Sequence, residues 1–202
     1  MDIYRMDADG KNVKRLTNQE LCKRPAWSPD SQSIAFVAKS SLYVMTAEGR
    51  GTRRLAETSS IACSWSPDGK EIAFVPRGDA VGGAAIFSID RNGRNMRQLT
   101  RLYKDLVLIS SPVWSPSEKW IAYTLTEIDL LRQGPIPVAE FFAKSVICLA
   151  NTADGRGGKP LEETRGLVGG GGLEWVPEEY LSVSPSSEKQ TTLWGKLKHT
   201  DK

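Results

Sequence analysis

Histidine is nearly missing from this chain: one of its 202 residues, His199, carries an imidazole, and it stands close to the C-terminus. A Ser-His-Asp relay needs a fixed histidine base, and a catalytic zinc needs several converging histidine or carboxylate ligands. No G-x-S-x-G nucleophile elbow occurs either. This inventory predicts a protein that is not an enzyme and holds no metal or cofactor. Cysteine is scarce too. Cys22, Cys63 and Cys148 are odd in number and lack metal-site spacing, so they are expected to be small buried hydrophobes. No window approaches the roughly 18 apolar residues of a membrane helix. No basic stretch followed by an apolar one opens the sequence. The expected location is cytoplasmic for the chain as it stands, or periplasmic for a piece of a longer exported protein. No charge of one sign dominates, since 27 Lys and Arg are interspersed with 24 Asp and Glu for a net charge of +3. A nucleic-acid binder would gather its bases on one stripe, so no nucleic-acid partner is predicted.

What the chain has in abundance is repetition. WSPDSQSIAF (Trp27 to Phe36), WSPDGKEIAF (Trp65 to Phe74) and WSPSEKWIAY (Trp114 to Tyr123) are near-copies. Each is followed by a linker and a second conserved half: LYVMTAEG (Leu42 to Gly49) with RRLA, then IFSIDRNG (Ile86 to Gly93) with RQLT. The chain opens on that second half, IYRMDADG with KRLT, and carries a worn copy at ICLANTADG (Ile147 to Gly155) with KPLE. A degenerate first half, LEWVPEEYLSV (Leu173 to Val183), comes last. In the first half, Pro67 pre-sets a turn angle, Asp68 can bond its own backbone, and Gly69 accepts a positive φ. Pro29 and Pro116 occupy the same place in the other copies. Ile72 and Phe74 then alternate with Ala73 and Val75, the period of a strand. The second half reads as another hairpin turning at Glu48-Gly49.

Each repeat of about 40 residues thus holds four short strands, A to D, the pattern of a β-propeller blade. A single blade cannot bury both its faces, so neighbours must stack. Trp27, Trp65 and Trp114, with Trp175 as the worn equivalent, are expected in the core between blades. The predicted class is all-β: four-stranded antiparallel blades, four in number, with the N-terminal strands completing the last. Residues 1–17 would supply strands C and D of that closing blade. Complete blades would span 24–56, 61–100 and 111–162, the last with an insertion over 125–144. Residues 171–202 would form the degenerate closing blade, with TTLWGKLK (Thr191 to Lys198) competing for the same edge. A ring closed within one chain predicts a monomer.

The unit WSPDGKxIAF, then [LI]YxMxxDG and RLT, resembles the TolB-type, WD-like β-propeller repeat, which also occurs in the propellers of prolyl-oligopeptidase-like enzymes. The resemblance covers nearly the whole chain and is sharpest in the first three repeats. It implies a propeller that binds protein partners. The family's propellers usually have six repeats, against four here.

The A–B and C–D turns are short and uniform, whereas the B–C and D–A connections are irregular and would share the opposite face. They include PRGDAVGGAA (Pro76 to Ala85), RLYKDLVLISS (Arg101 to Ser111), the insertion from Leu125 to Lys144, and TRGLVGGGG (Thr164 to Gly172). Loops on a rigid scaffold are where binding residues concentrate. The candidate partner-binding residues are Arg77, Asp79, Tyr103, Lys104, Ile128, Leu130, Leu131, Arg132, Phe141, Phe142 and Arg165. Trp120, whose counterparts are Ser33 and Glu71, could stack on a sugar or pack on an adjacent blade, and Trp194 shares that ambiguity. The expected function is a non-catalytic scaffold for protein–protein or peptide binding. The alternatives are a substrate-gating propeller parted from a hydrolase and a carbohydrate-binding module.

Overall fold

The computed structural model describes residues 1–18, 22–58, 62–76, 83–103, 107–127, 144–155, 157–161, 164–165, 173 and 175. Within them the chain forms one two-stranded and three four-stranded antiparallel sheets. The short sheet pairs β1 (Tyr4–Arg5) with β2 (Lys14–Arg15). The first full sheet runs β3 (Lys23–Trp27), β4 (Ser33–Ala38), β5 (Ser41–Thr46) and β6 (Arg53–Glu57) in order. The second runs β7 (Ser64–Trp65), β8 (Glu71–Phe74), β9 (Phe87–Asp90) and β10 (Arg97–Gln98). The third runs β11 (Val107–Trp114), β12 (Trp120–Glu127), β13 (Ser145–Asn151) and β14 (Gly157–Leu161). Within each sheet, strands adjacent in sequence pair with one another, the meander of a β-propeller blade.

The repeated ten residues build a small self-bonded box. Ser28 and Ser66 are buried, and their hydroxyl oxygens accept the backbone N–H of Ser33 and Glu71, each at 2.9 Å. Ser115 does the same for Trp120 at 3.1 Å. The Ser66 hydroxyl donates to Asp68 at 2.7 Å, and Asp68 accepts the Lys70 N–H at 3.0 Å. The fifth of the ten residues takes a left-handed backbone, with φ of 69° at Gly69, 57° at Ser31 and 62° at Glu118. Glycine adopts that conformation without steric cost. The other copies accept it with a side chain.

The threonine of the RLT motif has its own task. Thr17 and Thr100 are buried, and their hydroxyls accept the N–H of Ile3 and Ile86, each at 3.0 Å. In the third blade, where the motif reads KPLE, Thr164 just beyond it accepts the N–H of Ile147 at 2.9 Å. These bonds tie the fourth strand's end to the third strand's start.

Three apolar clusters fill the gaps between successive sheets. Ile3 and Cys22 pack with Ile34, Phe36 and Met45 between the short sheet and the first blade. Val37, Leu42 and Val44 meet Trp65, Ile72 and Phe74 between the first and second. Val75, Ile86 and Leu99 meet Trp114, Ile121 and Tyr123 between the second and third. Phe36, Phe74 and Tyr123 hold one repeat position and are all fully buried. Burying a side chain of this size contributes about 1.5–3 kcal/mol. All three cysteines are buried and none is in a disulfide, as their scarcity predicted. Burial pushes the Cys63 thiol up to about 12.

Two strand boundaries and the burial of one tryptophan differ from those expected. Leu125 is not in an insertion: β12 continues through Glu127, and Leu125 is 4% exposed and paired with Val146. Its alternation with Tyr123 carries the apolar face one pleat further. Val107 to Ser110 likewise begin β11 rather than belonging to a loop. Trp27 is the third correction. It is 49% exposed, whereas Trp65 and Trp114 are 7% and 6%. No first strand precedes it among the described residues, because the sheet before it holds β1 and β2 alone.

The Trp65 indole nitrogen donates to the Ala26 carbonyl of the blade before at 3.1 Å, while that of Trp114 is buried with no partner. Trp65→Phe is therefore expected to cost about 1 kcal/mol more stability than Trp114→Phe. Urea unfolding midpoints of the two variants measure the difference, and equal midpoints would contradict it.

Candidate functional site

Antiparallel meanders place A–B and C–D turns at one end of each blade. Backbone bonds join the two turns there: Ala47 N–H to the Gln32 carbonyl at 2.9 Å, Arg91 to Lys70 at 3.3 Å, and Thr152 to Lys119 at 3.0 Å. The B–C and D–A connections emerge at the other end.

The turn face is stitched from blade to blade. The first basic residue of each D strand reaches forward to a carbonyl in the next C–D turn. Lys14 donates to the Glu48 carbonyl at 3.2 Å, Arg53 to that of Arg91, and Arg97 to that of Thr152 at 3.0 Å. Arg91 adds a second tie, lying 5.3 Å over the Trp65 ring and donating to Asp30 of the first blade at 3.2 Å. Between the second and third blades the same face opens into a cleft of about 520 Å³, lined by Asp68, Glu71, Arg97, Trp114, Glu118 and Thr152 among others. Its carboxylates are engaged. Arg97 holds Glu71 at 2.6 Å, Lys70 holds Asp68 at 2.9 Å, and Glu118 accepts the Asp68 N–H at 2.8 Å. The cleft is thus an ion-paired joint rather than a pair of carboxylates open to acid–base work.

The connection face is described in part. Ala38 and Ser41 are joined by a two-residue turn in which Lys39 and Ser40 both have positive φ. Thr58 bridges to Pro76 and Ala84 to Tyr103, closing the bases of longer connections. Of the candidate binding residues, Arg165 is exposed. Tyr103 is not on the surface. It is 8% exposed, its hydroxyl lying 2.7 Å from that of Tyr123 and donating to the Gly158 carbonyl at 2.9 Å. An aromatic ring in a connection can fill the joint beneath as readily as face a partner. Arg101 covers it, its guanidinium 4.6 Å above the ring. Burial pushes the Tyr123 hydroxyl far above the ordinary tyrosine range. Gly158 makes room for both rings, since a Cβ there would meet the Tyr123 hydroxyl at 2.5 Å.

Arg77, Asp79, Lys104, Ile128, Leu130, Leu131, Arg132, Phe141 and Phe142 lie outside the described residues, as does Trp194. Trp120 is half-buried with its indole nitrogen enclosed, so it is not an open stacking platform. Trp175 donates to the Val113 carbonyl at 3.3 Å, repeating the Trp65 bond. The forward-reaching Lys and Arg of the RLT motif were missed in the sequence. Their one signal was a base recurring before each leucine.

These sheets and joints define a β-propeller. The TolB β-propeller domain family matches residues 20–133, more than half of the chain. The chain belongs to that family. No curated protein matches its sequence. Among solved structures, one assigned as TolB from Agrobacterium tumefaciens is similar with a TM-score of 0.60 and 19% identity, covering 79% of this chain and 57% of that one. An oligogalacturonate lyase from Vibrio parahaemolyticus gives 0.54 and 13%, over 77% of this chain and 45% of that one. The tricorn protease gives 0.51 and 14%, over 87% of this chain and 18% of that one. At these identities the likeness is one of fold, and the chain spans little more than half of the TolB structure at most.

The Lys70 ammonium foremost, then the Ser66 hydroxyl and the Lys70 N–H, hold the Asp68 carboxyl down at about 2, against an ordinary 3.8. A depressed carboxylate stabilises the fold above its unfolded pKa and loses that contribution as pH falls through the folded one. Wild type is therefore expected to lose stability between about pH 4 and pH 2 more steeply than Asp68→Asn. Thermal midpoints across that range test this, and parallel curves would refute it.

Proposed function

We propose that this chain is a non-catalytic propeller that binds a protein or peptide partner through its irregular connection face. The observation that supports the reading is the division of labour between the two ends. The turn face has its charges engaged in joints between blades: Lys14, Arg53, Arg91 and Arg97 all reach across to a neighbour. The connection face instead varies from the two-residue turn at Lys39-Ser40 to the long link between β12 and β13. That link, residues 128–144, carries Ile128, Leu130, Leu131, Phe141 and Phe142, with Arg132 among them. Aromatic, aliphatic and arginine anchors are what a small binding hot spot needs. The scarcity of histidine agrees with a binding role rather than a catalytic one.

The test is a paired variant, Phe141→Ala with Phe142→Ala, beside a deletion of residues 128–143. Both should keep the wild-type unfolding midpoint. Each should lose the proteins that the immobilised wild-type chain retains, the paired variant by about tenfold or more in affinity. Retention unchanged in both would end the proposal.

A further inference from the structure

The sequence contains a single Asn-Gly pair, Asn92-Gly93, at the tip of the C–D turn of the second blade. The same place is acidic in the other repeats: Asp9-Gly10, Glu48-Gly49 and Asp154-Gly155. Only here does an amide stand in for the carboxylate. Asn92 is exposed, and Gly93 has a left-handed φ of 78°. Another residue holds the turn together. The Asp90 carboxylate accepts the N–H of Asn92 at 2.7 Å, that of Arg94 at 2.9 Å and the Asn95 side-chain amide at 3.0 Å. The Asn92 side chain serves none of these bonds. Among the described residues its amide nitrogen has no bonded partner.

What touches that side chain comes from the first blade. Arg53 donates to the Arg91 carbonyl and reaches Asn92 Oδ1 at 3.4 Å. A cation on this oxygen draws electrons from Cγ and stabilises the negative charge that gathers there when a nucleophile adds. The nucleophile is next along the chain: the Gly93 nitrogen, which no side chain screens. One bond restrains it, the donation of its N–H to the Asp90 carbonyl at 2.9 Å. Electrophile, nucleophile and oxyanion donor thus stand together in one exposed turn.

We propose that Asn92 is a site of spontaneous deamidation, promoted by Arg53 of the neighbouring blade. The turn opens locally at the Gly93 N–H. The Gly93 nitrogen gives its proton to hydroxide and adds to Cγ, with the charge on Oδ1 facing Arg53. The Cγ–Nδ2 bond then breaks, and Nδ2 leaves as ammonia with a proton from water. Water opens the resulting cyclic imide, at Cγ to give an aspartate or at the main-chain carbonyl to give an isoaspartate. Either product carries a carboxylate, the charge that the equivalent turns have from the start. The aspartate faces Arg53 as Glu48 faces Lys14 at 3.8 Å.

The test incubates the full folded chain in warm, mildly alkaline buffer and digests it with pepsin in acid, where the reaction is slow. Mass spectrometry should show a gain of one mass unit that fragmentation assigns to Asn92, ahead of Asn12, Asn95 and Asn151. Arg53→Gln should slow the gain severalfold, and Arg53→Lys, which keeps the charge, should fall between. Arg53 is exposed, so circular dichroism should show both variants folded. In guanidinium chloride all three chains should react alike, because unfolding takes the cation away from Oδ1. A folded wild type that keeps its mass while the unfolded chain gains it would overturn the proposal, since the closed turn then protects Asn92. So would a folded Arg53→Gln that reacts as fast as wild type or faster, since the pair then acts by its sequence alone.

Discussion

The constraint on which this molecule rests is that each four-stranded sheet has two apolar faces and can cover neither by itself. Phe36, Phe74 and Tyr123 are fully buried because each is pressed on by residues of the preceding sheet. The buried serines of the three A–B turns, and the threonine ties of the short sheet and the second and third blades, fix the geometry within a sheet, but they are local. What joins one blade to the next is apolar contact, a few indole–carbonyl bonds, and the basic residues reaching across the turn face. Stability in such an array is close to a sum of units and nearest-neighbour interfaces.

Much of this was legible in the sequence. Alternation in IAF and LYVM marked the strands, and SPDG marked the turns, with Gly69 and Gly49 at positive φ as expected. The copy number of tryptophan pointed to the inter-blade core, and it is right for Trp65 and Trp114. It failed for Trp27 because burial depends on a neighbour, and a pattern within one repeat cannot say whether that neighbour is present. The same logic explains Tyr103. Its place in an irregular connection suggested exposure, but its ring fills space beside Tyr123 that Gly158 leaves open.

Strand ends were the least legible feature. Leu125 to Glu127 and Val107 to Ser110 read as loops because repeat alignment stopped at the conserved ten residues. The third blade's strands are longer than those of the second, eight residues in β12 against four in β8. Nothing in the consensus encodes that extension; it is set by pairing with β13, whose register runs from Trp120↔Asn151 to Thr126↔Ser145. Most of the candidate binding residues stand out in the sequence by their side-chain chemistry alone. Their role depends on where the chain carries them, which composition does not specify.

The forward-reaching residues of the turn face have one further consequence. Lys14, Arg53 and Arg97 each end on a main-chain carbonyl, in turns that read AEG, RNG and TAD. Every residue type provides that acceptor, so this part of the grip does not depend on the sequence it grips, while Lys14 adds a contact to the Glu48 carboxylate at 3.8 Å and Arg53 one to the Asn92 side chain at 3.4 Å. A blade can then be copied, lost or allowed to drift without its neighbour having to change in step. The divergence of the later repeats is the kind of history such a joint permits.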